Sequence, residues 1–268
     1  MNLKFIELLK YIFLSIIQGV GEILPISSSG HLMLFRNILG IDVDGFAIEL
    51  VLHVASLLAL FIYYKSVIFG LIKGFFKYVF KKEKLYIREF KFIIGMIISL
   101  IPTCLIGYFA NDYLDYFVKY SFIVGIFLVL NGLNLLSVKH KNGDVNIENL
   151  SIFSFFKIGL GQCFGLLPGF SRSGSALSMC YRENMSKDDS EKFTFLMLFP
   201  LVFGSLILNL NDFVFDRNLT ILLVISFIVT FIVTILCLGL LSKIVNKGKL
   251  YYFSYYCIII GIIVLILG

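Results

Sequence analysis

Apolar segments recur along this chain and are separated by shorter stretches rich in lysine and polar residues. Six of them are long enough to cross a bilayer as α-helices, because roughly 20 apolar residues span its hydrocarbon core. They cover residues 49–64, 92–110, 121–138, 193–208, 219–241 and 252–268. The pattern predicts an all-α polytopic membrane protein with six transmembrane helices.

Two further regions, residues 11–36 and 152–180, have a different pattern. Each contains two apolar runs of roughly ten residues, one on either side of a polar stretch, and runs of that length are too short to span. We therefore expect each region to enter the membrane and return to the same side as a re-entrant helix–turn–helix.

The order of these segments predicts an internal repeat. Each re-entrant region precedes three spans, and an odd number of spans places the two halves of the chain in opposite orientations. We expect a single integral-membrane domain, residues 1–268, built from inverted repeats of about residues 1–138 and 139–268. Membrane proteins of this architecture place their functional site near the midplane, where broken helices from the two repeats meet.

Composition and charge agree with this topology. The chain is 59% hydrophobic and only 15% charged, with a mean hydropathy of +0.95, whereas a soluble domain carries roughly a quarter charged residues. The predicted loops on one side, residues 65–91, 139–150, 182–192 and 243–249, hold 16 of the 23 lysines and arginines. The other side keeps little beyond Lys4, Lys10, Lys119 and Arg217.

The positive-inside rule assigns the basic side to the cytoplasm. We therefore expect a multi-pass protein of the plasma membrane with both termini outside, and we interpret the net charge of +6 as topology rather than as affinity for nucleic acid. The segment FGLIKGFFKYVF in the loop of residues 65–91 is either part of an ordinary basic loop or a helix that lies flat on the inner leaflet.

The two polar stretches resemble each other. The first, QGVGEILPISSSGHL, covers residues 18–32, and the second, GQCFGLLPGFSRSGSALS, covers residues 161–178. In each, a proline precedes the sequence Ser-x-Ser-Gly, so that Ser27 in the first corresponds to Ser171 in the second. The repeat inferred from the spans is thus also visible in residues.

Each polar stretch has the features of an anion site. Proline ends the first half-helix, because it cannot continue the hydrogen-bond ladder, and the serines then cap the free N–H groups of the next half-helix. A helix N-terminus with free N–H groups attracts anions, and Arg172 adds a planar fork of donors suited to phosphate or carboxylate. Two such ends meeting at the midplane predict an anionic ligand, for which phosphate fits best.

The first stretch adds groups for chemistry. Gln18 and Glu22 are four residues apart and share a helical face, and their oxygens beside a phosphate suit Mg²⁺ or Ca²⁺. His31 is able to transfer a proton at neutral pH. Together with serine hydroxyls and Arg172, these groups suffice for hydrolysis of a phosphoryl ester.

Structural interpretations compete with these functional ones. The serines could act only as caps, and His31 could be a satisfied structural residue. Glu22 and Arg172 could form a buried ion pair, although ionisable residues inside membranes usually serve function. His53 either joins the site or makes a polar contact between helices, and Glu49 near the end of its span could simply be solvated.

The motifs QGVGE…PISSSGH and PGFSRSG resemble those of the undecaprenyl-diphosphate phosphatase family, the integral-membrane bacitracin-resistance proteins. The similarity extends over the whole chain and includes LVLHVASLLAL and FTFLMLFPLVFG. The resemblance implies an interlocked inverted repeat, an active site open to the outer face and a divalent-metal-dependent release of the terminal phosphate from undecaprenyl diphosphate, which recycles the carrier lipid for envelope synthesis.

The resemblance also implies roles for individual residues. The family's Glu/Gln-x-x-x-Glu motif falls on Gln18 and Glu22, the tentative metal ligands. Catalytic roles are implied for Glu22, Ser28, His31 and Arg172, and diphosphate binding for Ser27, Gly169, Ser171, Arg172 and Ser173. Two positions depart from the usual pattern: Gln18 stands where many members have glutamate, and Ala176 stands where a threonine is usual.

The sequence thus favours a membrane phosphatase acting on a polyprenyl diphosphate. In this reading Glu22 holds the metal or orients water, His31 transfers a proton or acts as nucleophile, and Ser28 is a phosphate ligand or the nucleophile. The main alternative is a transporter or flippase that binds a lipid phosphate at the same midplane site. A purely structural subunit would leave Glu22 and Arg172 without a use. The oligomeric state stays open, with a homodimer as one candidate.

Overall fold

The structure, a computed structural model, describes residues 2–41, 46–118, 120–141, 143–208 and 220–267. These residues form the following helices: α1 (Asn2–Ile23), α2 (Ser28–Leu39), α3 (Phe46–Lys81), α4 (Ile87–Val118), α5 (Ser121–Ser137), α6 (Ile152–Cys163), α7 (Arg172–Arg182), α8 (Lys187–Leu196), α9 (Leu198–Leu208), α10 (Thr220–Asn246) and α11 (Tyr251–Leu267). Four residues used in the predicted topology, Lys119, Arg217, Leu219 and Gly268, lie outside the described residues.

Three of the helices are long and apolar enough to cross a membrane. The stretches that qualify are Ile48–Lys81 in α3, Lys84–Ala110, which begins just before α4 and covers most of it, and Thr220–Val245 in α10. The apolar helices α5 and α11 have 17 residues each, or about 25 Å of helix at 1.5 Å per residue. The fold is therefore that of an all-helical, polytopic membrane protein, and the count of six spans plus two re-entrant regions stays a prediction.

The prediction that residues 65–91 form a loop is wrong, because most of them are helical. Helix α3 continues without interruption to Lys81, and only a short connection with a 3₁₀ turn at Lys84–Tyr86 precedes α4. The segment FGLIKGFFKYVF is thus the end of α3. The lysines of α3, at positions 65, 73, 77 and 81, recur at helical spacing and lie on one side of the helix, which favours an amphipathic helix over a loop.

The span predicted over residues 193–208 is also corrected by the structure. The chain breaks at Met197 into α8 and α9. Pro200 explains the break, because its ring has no N–H to donate and clashes with the carbonyl four residues earlier, at Leu196. The sequence contained this proline, but the run of apolar residues around it favoured one continuous helix.

Polar contacts fasten the amphipathic helix α8 to its neighbours. The Asp189 carboxylate accepts hydrogen bonds from the Ile147 N–H at 2.9 Å and from the Arg88 guanidinium at 2.5 Å. The Glu191 carboxylate accepts from Tyr64 Oη at 2.9 Å and from Ser242 Oγ at 2.7 Å. These buried carboxylates are satisfied by several donors, so they hold α8 against α3, α4 and α10.

The helices pack in pairs that join the two halves of the chain: α1 against α10, α4 against α6, and α5 against α11. A side chain at Gly159 would put its Cβ only 2.2 Å from the Ser99 carbonyl oxygen, so α6 and α4 touch through their backbones. Hydroxyls add to these helix contacts: Ser99 Oγ of α4 donates to the Phe155 carbonyl of α6 at 2.7 Å, and Thr230 Oγ1 of α10 donates to the Ser15 carbonyl of α1 at 3.1 Å. Close backbone packing with hydroxyl bonds between helices is typical of membrane interiors.

The two polar regions both form helix–turn–helix units, as the sequence predicts. The first comprises α1 and α2, and the second comprises α6 and α7, with a 3₁₀ turn at Phe164–Leu166. Helix α1 has 22 residues, whereas we expected a half-helix of roughly ten. The polar tips of the two units meet, and this meeting point contains the candidate site.

Candidate active site

The turn between α1 and α2 is built around Ser27. Its Oγ accepts a hydrogen bond from the Gly30 N–H at 3.2 Å and so caps the N-terminus of α2. Its backbone has φ 73°, a left-handed conformation that is uncommon for residues other than glycine. The predicted phosphate ligand Ser27 is therefore a helix cap, and it is buried.

The turn between α6 and α7 has the same construction. Ser171 Oγ accepts from the Gly174 N–H at 3.0 Å and caps α7. Gly169 has φ 103°, and a Cβ there would lie 2.6 Å from the Val124 carbonyl oxygen of α5. Glycine at this position is required by conformation and by space, so the structure gives Gly169 a role in shaping the turn.

The two turns touch each other reciprocally. A Cβ on Gly30 would lie 2.9 Å from Gly169 Cα, and a Cβ on Gly174 would lie 3.0 Å from Pro25 Cβ. Asn131 of α5 bridges the two turns through its side-chain amide. Its Nδ2 donates to the Pro25 carbonyl at 3.1 Å, and its Oδ1 accepts from the Ser171 N–H at 3.1 Å. The starts of α2 and α7 are thus fixed side by side.

A small polar cavity of about 50 Å³ lies between these two helix starts. Helix α2 contributes its first two residues, and α7 does the same. Two further helices, α3 and α9, add one residue each. The lining consists of Gly21, Glu22, Ser28, Ser29, His53, Gly165, Phe170, Ser171, Arg172, Ser173 and Leu198. The cavity therefore has two helix N-termini, a cation and a carboxylate on its walls.

Glu22 is the acceptor at the centre of a hydrogen-bond cluster. Its Oε2 accepts from Ser28 Oγ at 2.9 Å and from Gln18 Nε2 at 3.1 Å. His53 Nδ1 lies 3.5 Å from the same oxygen and 3.1 Å from Gln18 Nε2. A hydroxyl held against a carboxylate at this distance has the geometry of a nucleophile with its general base.

Arg172 carries the positive charge of the cavity. Among the described residues, no carboxylate oxygen lies within 4.0 Å of its guanidinium nitrogens. Its Nε is buried without a hydrogen-bond partner. The buried ion pair with Glu22 that the sequence allowed is therefore not formed. A cation at a helix N-terminus, facing a cavity and lacking a counter-ion, suits an anionic ligand.

Small residues let the half-helices approach each other at the cavity. A Cβ on Gly21 would lie 2.8 Å from Ser28 Cα, and a Cβ on Gly165 would lie 2.4 Å from Arg172 Cα. These glycines thus stand directly behind the Ser28 and Arg172 backbones and determine how deep each helix start sits.

His31 does not line the cavity. Its Nδ1 lies 2.8 Å from the Ser27 carbonyl oxygen, to which it donates. Its Nε2 lies 3.0 Å from Tyr256 Oη of α11, and the two rings are stacked with centroids 5.6 Å apart. Both ring nitrogens are occupied, and the side chain is buried. The ring supports the Ser27 turn from behind.

The oxygen atoms near Glu22 fit a hard cation. Gln18 Oε1 is buried and has no hydrogen-bond partner in the described part of the chain. It therefore leaves an acceptor beside Glu22, whose carboxylate lines the cavity. Among the described residues, no group of three or more histidine, cysteine or acidic side chains is arranged to hold a metal. Mg²⁺ is commonly bound by one or two protein oxygens plus substrate phosphates, and that minimal set is present.

The structure thus brings together five of the predicted site residues in the lining of one cavity: Glu22, Ser28, Ser171, Arg172 and Ser173. Gln18 lies behind them, bonded to Glu22. Glu49 is not part of the site and pairs with Arg36 at 2.6 Å.

Six lining positions were not among the predicted site residues: Gly21, Ser29, His53, Gly165, Phe170 and Leu198. His53, whose membership was left open, lines the cavity. Leu198 also does so because α9 begins there, and the signal for that break was Pro200 two residues later. Phe170 lies inside the second motif and also lines the cavity. The spacing of residues in that motif did not indicate this.

Fold and site together define a class of protein: a polytopic helical membrane protein with an anion-suited cavity between the tips of two helix–turn–helix units. Comparison with known proteins narrows this class. The chain belongs to the family described as Bacitracin resistance protein BacA, which it matches over residues 11–263.

Similar proteins from several bacteria carry the name undecaprenyl-diphosphatase. Undecaprenyl-diphosphatase 2 of Bacillus thuringiensis is 38% identical over 266 residues, which cover 98% of each chain. Undecaprenyl-diphosphatase 1 of Bacillus licheniformis is 35% identical over 268 residues, 98% of this chain and 99% of the relative. Undecaprenyl-diphosphatase of Oceanobacillus iheyensis is 33% identical over 98% of both chains. The resemblance inferred from the motifs is confirmed.

Proposed function

We propose that this protein hydrolyses undecaprenyl diphosphate to undecaprenyl phosphate and inorganic phosphate, and thereby recycles the carrier lipid for cell-envelope synthesis. One observation carries the proposal: the guanidinium of Arg172, which has no carboxylate oxygen within 4.0 Å among the described residues, shares a cavity with the Ser28–Glu22 pair. The names of the full-length relatives support the same reaction.

In the mechanism that we propose, Ser28 Oγ attacks the terminal phosphorus and Glu22 accepts the hydroxyl proton. The bond to the bridging oxygen breaks, and undecaprenyl phosphate leaves. Glu22 passes its proton to the departing undecaprenyl phosphate. A water then attacks the phosphoserine and gives a proton to Glu22, which returns it to Ser28 Oγ as phosphate is released. Arg172, the Ser173 hydroxyl and the two helix N-termini stabilise the negative charge on the transferring group, a contribution that is usually the largest in phosphoryl transfer.

His31 has a supporting role in this proposal, although the sequence suggested it for proton transfer. Its hydrogen bond to the Ser27 carbonyl holds the turn that presents Ser28 to Glu22.

A divalent cation, Mg²⁺ or Ca²⁺, is part of the proposal. Gln18 Oε1 and Glu22 would hold it, together with substrate oxygens. When bound, the ion neutralises charge on the diphosphate. Gln18 in place of glutamate leaves one protein carboxylate, so we propose weak metal binding that depends on the substrate.

The transporter alternative is not favoured. A binding protein for lipid phosphate needs the cation and the helix N-termini, but it has no need for a serine hydroxyl bonded to a buried carboxylate. The relatives also carry the name of a hydrolase.

We further propose that the cavity opens to the outer face of the plasma membrane and that both termini lie outside. The distribution of lysine and arginine supports this orientation. A homodimer stays a prediction that a mass measurement of the detergent-solubilised protein would test.

The first test of the proposed function is phosphate release by the purified protein in detergent. We expect release from undecaprenyl diphosphate that is lost in EDTA and restored by Mg²⁺. Replacing Arg172 by alanine should lower kcat by roughly 10²- to 10³-fold, as removal of a donor to a transition-state oxyanion does. Arg172→Lys should recover part of the loss, because lysine restores the charge without the fork of donors.

Arg36→Lys provides a matched control, because this arginine pairs with Glu49 away from the cavity. No phosphate release from well-folded wild-type protein, with binding of the lipid phosphate retained, would refute the hydrolase.

A further inference from the structure

A second pocket lies behind the second helix–turn–helix unit. It has a volume of about 370 Å³ and is enclosed by residues of α5, α6 and α7 and of the turn that joins α6 to α7. Its polar lining consists of Asn134, Lys157, Ser175 and Arg182. The other described lining residues are Leu160, Gly161, Phe164, Phe170 and Met179. The pocket therefore combines two cations and a hydroxyl with an apolar part.

The two cations lie at one end of the pocket, and the hydroxyl lies deeper. Arg182 is the last residue of α7, whereas Ser175 lies in the first turn of that helix. The two positions are about 10 Å apart along the helix at 1.5 Å per residue. Lys157 of α6 reaches the same end as Arg182, because its Nζ lies 3.0 Å from Oε1 of Glu183, the next residue of the chain. The pocket thus has a charged mouth and a hydroxyl further in.

The positive charge at this mouth is only partly neutralised. Glu183 offsets Lys157, with distances from Nζ to the two carboxylate oxygens of 3.0 and 3.3 Å. Arg182 donates instead to neutral oxygens, those of Asn134 at 2.8 Å and Ser137 at 2.7 Å. In the described part of the chain, no carboxylate oxygen lies within 4.0 Å of its guanidinium nitrogens. The guanidinium therefore remains suited to the phosphate of a ligand.

Ser175 is a buried polar group that the protein leaves without a partner in this pocket. The residue is 3% exposed, and its Oγ has no hydrogen-bond partner among the described residues. The equivalent position in the first unit is His31, since each lies four residues after a capping serine, and there the ring contacts Tyr256. An unpaired buried hydroxyl is costly, so a ligand with an acceptor at this depth would satisfy it.

The apolar part of the pocket is open on the outside of the helix bundle. Leu160 and Phe164 are 43% and 57% exposed, and they follow Lys157 along α6 and into the turn after it, away from the charged mouth. In the proposed orientation, the start of α6 and the end of α7 lie toward the cytoplasm. The cations thus lie toward the inner surface, and the hydroxyl and the apolar side chains lie toward the midplane. A phospholipid of the inner leaflet is arranged in the same way, with its phosphate outermost and its esters and acyl chains deeper.

We propose that this pocket binds an anionic phospholipid of the inner leaflet. The phosphate lies between Lys157 and Arg182, an ester carbonyl accepts a hydrogen bond from the Ser175 hydroxyl, and the acyl chains run past the exposed apolar residues. This lipid is not the substrate, so the inference goes beyond the proposed function, although it relies on the proposed orientation. Phe170 lines both this pocket and the polar cavity, and the bound lipid therefore supports the turn that leads to Arg172.

The test measures lipid binding to the purified, delipidated full-length protein by native mass spectrometry. The probes are dioleoylphosphatidylglycerol, which is anionic, dioleoylphosphatidylcholine, which has the same chains but no net charge, and inorganic phosphate. We expect Kd for the first phosphatidylglycerol to be roughly tenfold lower than Kd for phosphatidylcholine, because two cations against one carboxylate favour the anionic headgroup. Inorganic phosphate should not displace phosphatidylglycerol, because it lacks the ester groups and the chains.

Matched variants locate the site. Lys157→Gln and Arg182→Gln should each remove most of the preference for phosphatidylglycerol, whereas Lys192→Gln, which neutralises a cation of α8 outside the described lining, should keep it. Ser175→Ala should raise Kd for both lipids roughly fivefold, as the loss of one hydrogen bond does. Ser178→Ala removes another buried hydroxyl of α7 that has no partner among the described residues and is not in the described lining. It should leave both Kd values unchanged.

One further variant separates this pocket from the polar cavity. Arg172→Ala should retain the binding of phosphatidylglycerol, because its guanidinium belongs to the other opening, and loss of binding in this variant would place the lipid there and overturn the proposal. Equal Kd values for the two lipids, or a preference that survives in both Lys157→Gln and Arg182→Gln, would overturn it as well. Displacement by inorganic phosphate would assign the pocket to a free anion instead. Binding is measured without hydrolysis, so none of these outcomes depends on whether the protein releases phosphate from undecaprenyl diphosphate.

Discussion

At the scale of single residues, the site is defined by which polar groups are satisfied and which are not. Glu22 has three polar neighbours, Gln18, Ser28 and His53, within 3.5 Å. Arg172 Nε and Gln18 Oε1 have none. A buried polar group without a partner is costly, so a substrate anion at Arg172 and a cation at Gln18 would satisfy atoms that the protein leaves unsatisfied.

A prediction at this scale concerns the Ser28–Glu22 pair. Ser28→Ala and Glu22→Gln should each lower kcat by roughly 10²-fold or more, because one removes the nucleophile and the other removes its base. Groups that act as a unit are not additive, so the double variant should be about as slow as the slower single variant. The measurement is phosphate release in a double-mutant cycle.

Serine at position 29 supplies the control for this cycle. Ser29→Ala removes a hydroxyl that lines the same cavity but has no hydrogen bond to Glu22 among the described residues, so its effect should be small. Additive losses in the Ser28 and Glu22 variants would show that the two residues act independently and would contradict the proposed mechanism.

At the scale of helices, the site depends on close approach of α1 to α2 and of α6 to α7. Asn131 of α5 ties the two tips together from a third helix. Because the capping serines and the glycines behind them leave no free space, the helix starts have little freedom to shift. Such pre-positioning allows charged groups to act without reorganising during the reaction.

The prediction at this scale is that added volume at Gly165 displaces Arg172. Gly165→Ala would place a Cβ 2.4 Å from Arg172 Cα, which is backbone and cannot move aside easily. We expect a loss of activity of roughly 10²-fold, since misplacement by about 1 Å has that effect in enzymes. Destabilisation of about 1–3 kcal/mol should accompany it, as for overpacked cores.

Gly239→Ala on α10 is the matched control, because nothing lies within 4 Å of a Cβ at that position. It should leave phosphate release unchanged and slightly raise the melting temperature, as alanine favours helix over glycine. Equal behaviour of the two variants, in activity and in thermal unfolding, would refute the packing argument.

At the scale of the whole molecule, the two halves of the chain are interdependent. Helix α1 packs on α10 and α6 packs on α4, so neither half encloses its own helix–turn–helix unit. The candidate cavity likewise takes residues from both halves. Separate expression of the halves would therefore leave the site incomplete.

The orientation in the membrane yields a prediction at this scale. In a background with Cys104 replaced by alanine, Asn37→Cys near the end of α2 and Lys84→Cys between α3 and α4 both introduce thiols at exposed positions. A membrane-impermeant thiol reagent should label Asn37→Cys in intact cells and Lys84→Cys only after permeabilisation. The reverse pattern would contradict the assignment of the basic side to the cytoplasm.

Much of this molecule was predictable from local sequence. Apolar length identified membrane helices, proline followed by Ser-x-Ser-Gly located both turns, and the ionisable Glu22 and Arg172 marked the site because charges inside a membrane rarely lack a use. The extent of α3 and the break at Met197 were missed. The apolar content of a segment does not show where a helix ends. Pro200 lies inside an apolar run that is otherwise long enough to span the membrane.

The sequence by itself determined the class of protein, the two polar turns and the chemical groups that they carry, since these follow from side-chain polarity and backbone capping within a few residues. Only the tertiary structure decided which groups share a cavity. It brought His53 of α3 beside Glu22 and turned His31 away toward Tyr256 of α11. It also placed a second pocket, with Lys157 and Arg182 at its mouth, behind the charged site. These choices depend on helix packing between residues far apart in the chain, for which the sequence contains no local signal.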